Sequence, residues 1–376
     1  MTIYLDCNAT TPLEPRVQET ITRWFCEEVG NSGSRTHEFG LRAKHTVDTA
    51  RQQVASVVSA KPDEVIFTSG ATEANNIAIL GLAAHGEATG KKHIVSTAIE
   101  HKAILEPLEH LAERGFEITL IKPNENCLID PVEVKAAVRS DTLLVSVMHV
   151  NNETGVRQPL AEICDLLRHE DVYIHTDAAQ GFGKVIDDLT DPRIDLISVT
   201  SHKIYGPIGV GSLIARRRKY KRVPLTPLTY GGGQERGLRP GTLPVPLIVG
   251  FGLASEICAQ EFNSRNRVNA QIRRAFIDSL NGIPYVVNGD EDCTLPHVLN
   301  ISISNTDSEA VMLALKGIAA ISNGSACTSN EYSPSHVLQA MGADTEGAVR
   351  ISWCHLTPPS DWLSVGKKIK VLTGGK

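Results

Sequence analysis

A single cysteine, Cys327, lies in the run ISNGSACTSNE between Ile321 and Glu331, among Gly, Ser, Asn and Thr. Cysteine is ordinarily a small buried apolar residue, whereas these neighbours read as an exposed, flexible loop. An exposed thiol is prone to oxidation unless its reactivity is used. Other reactive side chains fall at the ends of short β-rich runs. FTSGATEANN passes from a strand through Ser69, Gly70, Ala71 and Thr72 into a helix. Backbone N–H groups and hydroxyls at such a start suit a phosphate; an ordinary helix cap with Glu73 in its first turn reads the same way. IHTDAAQG ends a strand with Asp177 and places Gln180 just beyond it, and VTSHKIYGP ends another with Ser201, His202 and Lys203. Taken alone, Asp177 and Lys203 read equally as a surface ion pair. With the phosphate-type turn they supply what pyridoxal 5'-phosphate (PLP) requires. Its phosphate needs a cup, its aldehyde a lysine for a Schiff base, and its ring nitrogen a carboxylate that keeps it protonated as an electron sink.

Three further side chains fit that chemistry. IEHKAI sets His101 where a strand ends and a helix opens. It is either a helix-start polar residue or an imidazole that stacks on the ring and relays protons. HVNNETG offers Asn152, whose amide suits a substrate carboxylate. AVRISW holds Arg350 between apolar residues. Arginine is seldom buried without a partner, and a bidentate grip on an α-carboxylate would supply one.

The elements that must position these groups follow from periodicity. Val17, Ile21, Trp24 and Phe25 recur at helical spacing after Pro12 and Pro15, as do Phe39, Ala43, Val47, Ala50, Val54 and Val57. Seven short β-rich runs follow, EVIFTSG, HIVSTAIE, FEITLI, TLLVSVMHV, VYIHTD, DLISVTS and VGSLIAR, with helical patterns between most of them. This predicts an α/β fold whose mostly parallel sheet is covered on both faces. Ligands of such sheets sit beyond the carboxyl ends of the strands. From about Pro244 a long helical stretch leads into shorter runs that read as a smaller α/β domain.

Composition narrows the classes. The chain has 376 residues, 41% of them hydrophobic, and a formal net charge of -6. That charge argues against a general nucleic-acid binder. No unbroken apolar run approaches the roughly 18 residues of a membrane span, and the start lacks the pattern of a signal peptide. The eight cysteines form no CxxC pair, so neither a metal site nor a disulfide framework is expected, and free thiols fit a reducing cytoplasm. The basic run from Arg216 to Arg222 reads as a solvated turn or as a docking patch for an acidic acceptor.

The runs YLDCNATTP, GNSGSRTHEFG, FTSGATEANN, EHKAI, HVNNETG, HTDAAQ, SHKIYGP, GGGQERGLRPGT and SNGSACTS occur in one order from near residue 4 to about 352. In them the chain resembles the PLP-dependent cysteine desulfurases of the NifS/IscS type, in the class-V aminotransferase-like family. The resemblance implies a PLP-dependent transferase fold of type I, with a large PLP-binding domain over 16–255. Residues 1–15 and 256–376 would form a small domain carrying the Cys327 loop. It implies that Lys203 carries the cofactor, Asp177 pairs with its ring nitrogen, Gln180 contacts its ring hydroxyl and His101 stacks on it. Ala71, Thr72, Thr200 and His202 would bind the phosphate, with Thr242 reaching in from the other subunit of a homodimer. Asn152 and Arg350 would hold the carboxylate of L-cysteine, and Cys327 would take its sulfur, leaving L-alanine and a persulfide for an acceptor protein. Iron–sulfur assembly, tRNA thiolation and DNA phosphorothioation are the expected destinations. A mobile Gly/Ser loop suits a thiol that must travel between pocket and surface.

The resemblance has gaps. RISWCHLT has Trp353, Cys354 and His355 where Gly-Arg is frequent, which makes Cys354 a structural thiol or a second sulfur carrier. The chain ends soon after Leu372, where scaffold-docking members carry a longer tail, so a dedicated acceptor is expected. The alternatives are a selenocysteine lyase, another fold type I PLP enzyme such as an aminotransferase, or an interaction module without catalysis. Cys327 speaks against an aminotransferase, and Lys203, Asp177, His101 and Arg350 together speak against a module.

Overall fold

A computed structural model of the chain describes residues 2–323, 334–358 and 360–373. Strand β1 (Ile3–Tyr4) precedes helices α1 (Pro15–Cys26) and α2 (Glu38–Val57). Next come β2 (Val65–Thr68), α3 (Ala71–Leu80), α4 (Ala83–Thr89), β3 (His93–Thr97), α5 (Lys102–Glu113) and β4 (Glu117–Ile121). The alternation continues through α6 (Pro131–Ala137), β5 (Thr142–Ser146), α7 (Leu160–Leu166), β6 (Tyr173–Asp177), β7 (Leu196–Thr200) and β8 (Gly211–Ala215). Helix α8 (Val245–Ser279) leads to β9 (Tyr285–Val287), β10 (Val298–Ile303), α9 (Ser308–Ala314) and β11 (Ala319–Ala320). The last elements are α10 (His336–Met341), β12 (Ala348–Ser352) and α11 (Trp362–Leu372).

The seven-stranded sheet has the order β2-β8-β7-β6-β5-β3-β4. Only β8 runs against its neighbours β2 and β7; the other pairs are parallel. Strands β2, β3, β5, β6 and β7 therefore all end on one edge. Strands β2, β3, β5 and β7 are buried along their whole length, as befits strands covered by helices on both faces. Helix α1 starts with Pro15, whose fixed φ suits a first turn, and buries Val17 and Ile21 one turn apart. Helix α2 buries Gly40, Ala43, Val47, Ala50 and Val54 on one stripe. It packs closely on α8: a Cβ at Gly252 would fall 2.5 Å from the Cα of Ala50.

A separate apolar core joins Leu5, Phe276, Leu299, Ile301, Ile351 and Trp353. It underlies an antiparallel sheet of order β12-β10-β9 and the parallel pair β1–β11. Helix α8, 35 residues long, runs unbroken past residue 255 between this core and the large sheet. One stretch of it is long and apolar enough to cross a membrane by composition, although no unbroken apolar run stood out in the sequence. Ile248, Phe251, Ala254 and Ile257 in that stretch are buried against other elements, so its apolarity is that of a core helix.

The basic run divides: residues 219–222 form an exposed turn, whereas Arg216, Arg217 and Arg218 are held by partners. Arg216 is buried and donates to the carbonyls of Val58 and Leu189. Arg217 pairs with Asp63, and Arg218 Nε lies 2.6 Å from Asp195 Oδ1 while its guanidinium covers the Tyr173 ring. Three arginines thus fasten the end of β8 to the body of the sheet.

Candidate active site

The strand-end edge opens into a cavity of about 530 Å³. Ala71, Thr72, His101, Asn152, Asp177, Gln180, Thr200, His202, Lys203 and Arg350 all line it. Thr242 does not; it lies in clefts formed with Val29, Phe39 and Pro244 on one side and Tyr230 and Arg239 on the other. Cys327 lies outside the described residues.

Each group is held by a different element. Asp177 closes β6 and is clamped on both oxygens: Asn75 Nδ2 donates to Oδ2 at 2.7 Å and the Ala179 N–H to Oδ1 at 2.9 Å. Lys203 ends a short 3₁₀ turn after β7, and its Nζ donates to the carbonyls of Asn8 and Ala9. The next residue but one, Tyr205, takes a φ of 67°, a left-handed backbone rare for a bulky side chain. Thr11 Oγ1 accepts from its N–H, and the Arg265 guanidinium lies over its ring. His101 caps α5, its Nδ1 accepting from the Ala103 N–H at 3.1 Å, and burial lowers its pKa. The imidazole is therefore neutral at pH 7. His202 meets Thr10 Oγ1 at 3.2 Å, and burial takes it down to about 4.

Helix α3 begins at Gly70 without any side-chain cap. Glu73 does not cap it but accepts from the Ser69 N–H at 2.5 Å and pairs with Arg239 at 2.9 Å. The first-turn N–H groups of α3 thus face the cavity beside Thr72. On the opposite side Arg350, on β12, is only 2% exposed. Its Nη2 lies 2.7 Å from Asp6 Oδ1 and its Nη1 donates to the Asn152 carbonyl at 3.1 Å, while Nε has no partner. The side-chain oxygens of Asn8, Asn75, Asn152 and Gln180 are likewise buried and unpaired. Orphaned polar atoms of this density round one cavity mark a place built for a polar ligand. With Asp177, Lys203 and the open start of α3 they match PLP: an acid, an amine and a phosphate cup.

Sequence reading missed four contributors. Asn8 is a hub: its carbonyl accepts from Lys203 and from Gln180 Nε2 at 3.0 Å, and its Nδ2 donates to the Asn152 carbonyl at 3.1 Å. Asn75, fully buried inside α3, could have been suspected from an asparagine on an otherwise apolar helix face. Asp6 lies in the run YLDCNATTP, but nothing in that run assigned it a role. Glu100, next to His101, is wholly buried with Oε1 accepting from Thr97 and Met148, and burial pushes its pKa up to about 8. Cys354 lies outside the cavity, buried against Cys7. The hydrogen bond between the two thiols lowers Cys354 and raises Cys7. Among the described residues no group of three His, Cys, Asp or Glu side chains is placed to hold a metal ion.

Residues 3–361 match the family described as aminotransferase class-V. The cysteine desulfurase of Homo sapiens is 46% identical over 92% of this chain and 75% of its own length. Cysteine desulfurase IscS of Vibrio cholerae is 43% identical over 96% of this chain and 89% of its own. Among solved structures, DndA from Streptomyces lividans superposes with a TM-score of 0.82 at 49% identity, covering 91% of this chain and 97% of that one. SspA in complex with cysteine gives 0.82 at 35% identity, covering 96% and 100%. The fold and cavity define a PLP fold type I enzyme class. Within it, this chain belongs to the class-V aminotransferase family as a cysteine desulfurase.

Proposed function

We propose that the enzyme binds PLP in this cavity, removes sulfur from L-cysteine, and passes it as a Cys327 persulfide to an acceptor protein. The observation that carries the reading is the convergence of Lys203, a doubly clamped Asp177, neutral His101 and buried Arg350 on one cavity at the uncapped start of α3. When bound, PLP supplies an aldehyde for the substrate amine and a ring that accepts electrons from the α-carbon. Lys203 holds the cofactor and then moves the α-proton. Asp177 would keep a proton at the ring nitrogen, Gln180 would contact the ring hydroxyl, and His101 would cover the ring. Ala71, Thr72, Thr200 and His202 hold the phosphate. Arg350 and Asn152 orient the substrate carboxylate. The Cys327 thiolate attacks the substrate sulfur, forming an S–S bond as the Cβ–S bond breaks; the carbon skeleton takes up a proton and leaves as L-alanine.

We further propose a homodimer in which Thr242 completes the partner's phosphate site. The exposed Val29 and Phe39, which line its cleft, support such an interface. Residues 16–255 would be the cofactor domain, and 1–15 with 256–376 the small domain; the separate core round Phe276 and Trp353 supports this. The described cysteines are all free thiols, which supports a reducing compartment, the cytoplasm. The acceptor belongs to iron–sulfur assembly, tRNA thiolation or DNA phosphorothioation.

Borohydride reduction of the yellow enzyme followed by peptide mapping tests the site, with the label expected on Lys203. Labelling of another lysine would refute it. Release of L-alanine from L-cysteine, compared with release from L-selenocysteine, tests the substrate. Turnover of the seleno-substrate alone would move the reading to a selenocysteine lyase.

A further inference from the structure

Arg350 carries a full positive charge in the wall of the cavity at 2% exposure. A buried charge is tolerated only when paired and hydrogen-bonded. One partner is a residue of the chain: Asp6 Oδ1 lies 2.7 Å from Nη2. Asp6 is fixed in turn. Its backbone bridges to Ser352 beside β12, and its carbonyl accepts from the Tyr4 hydroxyl at 3.0 Å and the Ala9 N–H at 2.9 Å. The nearby carboxyl of Glu153 makes no ion pair with Arg350 among the described residues. It accepts from Ser335 Oγ at 2.6 Å, and burial raises its pKa, which favours its neutral form. The carboxylate in hydrogen-bonding contact with Arg350 is that of Asp6.

The guanidinium is only partly used. Nη1 and Nη2 each have one partner and a second N–H to offer, and Nε has none. An incoming carboxylate must bind through what is left, beside a fixed anion. From this we infer that Asp6 is a positioning residue that tempers the grip of Arg350, weakening its hold on every carboxylate. The inference rests on reading Arg350 as the carboxylate-binding residue. Its consequence is kinetic. L-cysteine and L-alanine carry the same α-carboxylate, and binding energy shared by substrate and product does nothing for the chemical step. Asp6 trims that shared part, so that the alanine skeleton leaves once its sulfur is gone.

Asp6→Asn keeps an acceptor for Nη2 and removes the charge. A like charge on the same guanidinium weakens anion binding, by roughly ten-fold at the effective dielectric of a protein. Calorimetry on the holoenzyme is therefore expected to find L-alanine bound about ten-fold more tightly by Asp6→Asn than by wild type. Both KM and kcat for L-cysteine should fall as product release slows. In melts without cofactor, acetate should stabilise Asp6→Asn more than wild type. Asp6→Glu keeps the charge and should stay within about three-fold of wild-type L-alanine affinity. A ten-fold loss in Asp6→Glu would assign Asp6 to geometry and overturn the proposal whether or not Asp6→Asn folds. Arg350→Ala, measured alongside, separates the two readings. If it binds L-alanine like wild type, the assignment of Arg350 fails and the proposal with it. If it loses binding while folded Asp6→Asn binds no tighter than wild type, the proposal for Asp6 fails alone.

Discussion

Asp177 is fixed on both oxygens before any ligand arrives, and Lys203 is held between two carbonyls of the chain's first turn. Preorganisation of this kind keeps catalytic groups from spending binding energy on reorientation. Lys203→Ala is expected to fold with an unchanged melting profile yet form no L-alanine, as an assay of purified protein would register. Cys327→Ser should keep its colour and its spectral response to L-cysteine, because those depend on Lys203 and Asp177. It should release almost no alanine, since a hydroxyl is too poor a sulfur nucleophile. Release near the wild-type rate would point to another thiol, although Cys354 lies outside the cavity. Glu100 titrates in the opposite sense to most acids. Its pKa rises to about 8 in the fold, mainly through burial, from about 4.3 in the unfolded chain. Between those values the unfolded chain holds fewer protons, so stability falls as pH rises. Glu100→Gln should therefore gain in melting temperature over wild type progressively from pH 5 to pH 8; a constant difference would show that Glu100 does not titrate there. The reactive residues were legible because Lys203, Asp177 and His101 each stand where a short apolar run stops. Asp6 and Asn8 were not, because their meaning comes from partners 344 and 195 residues away.

At the scale of elements, the site exists because five strands end on one edge and the turns after them differ. The β-rich runs foretold every strand of the large sheet, since each is short, apolar and punctuated by Gly, Pro or charge. The reversed direction of β8 was not foretold: direction is set by pairing with β2 and β7, and apolar runs look alike either way. That reversal brings Gly211 opposite both Thr68 and Thr200, the latter a residue of the cavity wall. A Cβ at Gly211 would lie 2.4 Å from the Val199 carbonyl oxygen and 2.8 Å from the Gly70 Cα. Both are backbone atoms, so Gly211→Ala must shift either β7 or the start of α3. The expected result is a loss of about 1–3 kcal/mol in denaturant unfolding, with PLP bound more weakly in equilibrium titration. The anchoring of Arg216, Arg217 and Arg218 was hidden for the same reason as the direction of β8. Their partners, Asp63, Asp195 and the carbonyl of Val58, belong to elements remote in sequence.

In the whole molecule, α8 and the residues that grip it bind the core round Phe276 and Trp353 to a core of the large sheet. Arg265 on α8 reaches Glu14 before α1 at 2.8 Å, and Arg16 reaches Glu261 at 2.8 Å. The hydrogen bond from Arg16 takes Glu261 down to about 2. A carboxyl lowered in the fold stabilises above its unfolded pKa, and that contribution disappears as pH falls through the folded value. Acid unfolding should therefore have a component between about pH 4.5 and 2 that Glu261→Gln removes, read by circular dichroism. Both cores should melt in one transition, since α8 cannot unwind in one alone. The pairing of β1 with β11 carries a further implication for how the chain is made. Thr2 bonds to the carbonyl of Gly317, 315 residues away, and Leu5 completes the core round Trp353. At roughly 5–20 residues per second, a ribosome would take about 15–60 s to supply that partner. Throughout that interval β1 has no strand to pair with, so a strand made long before its partner is among the last parts of the fold to reach its place.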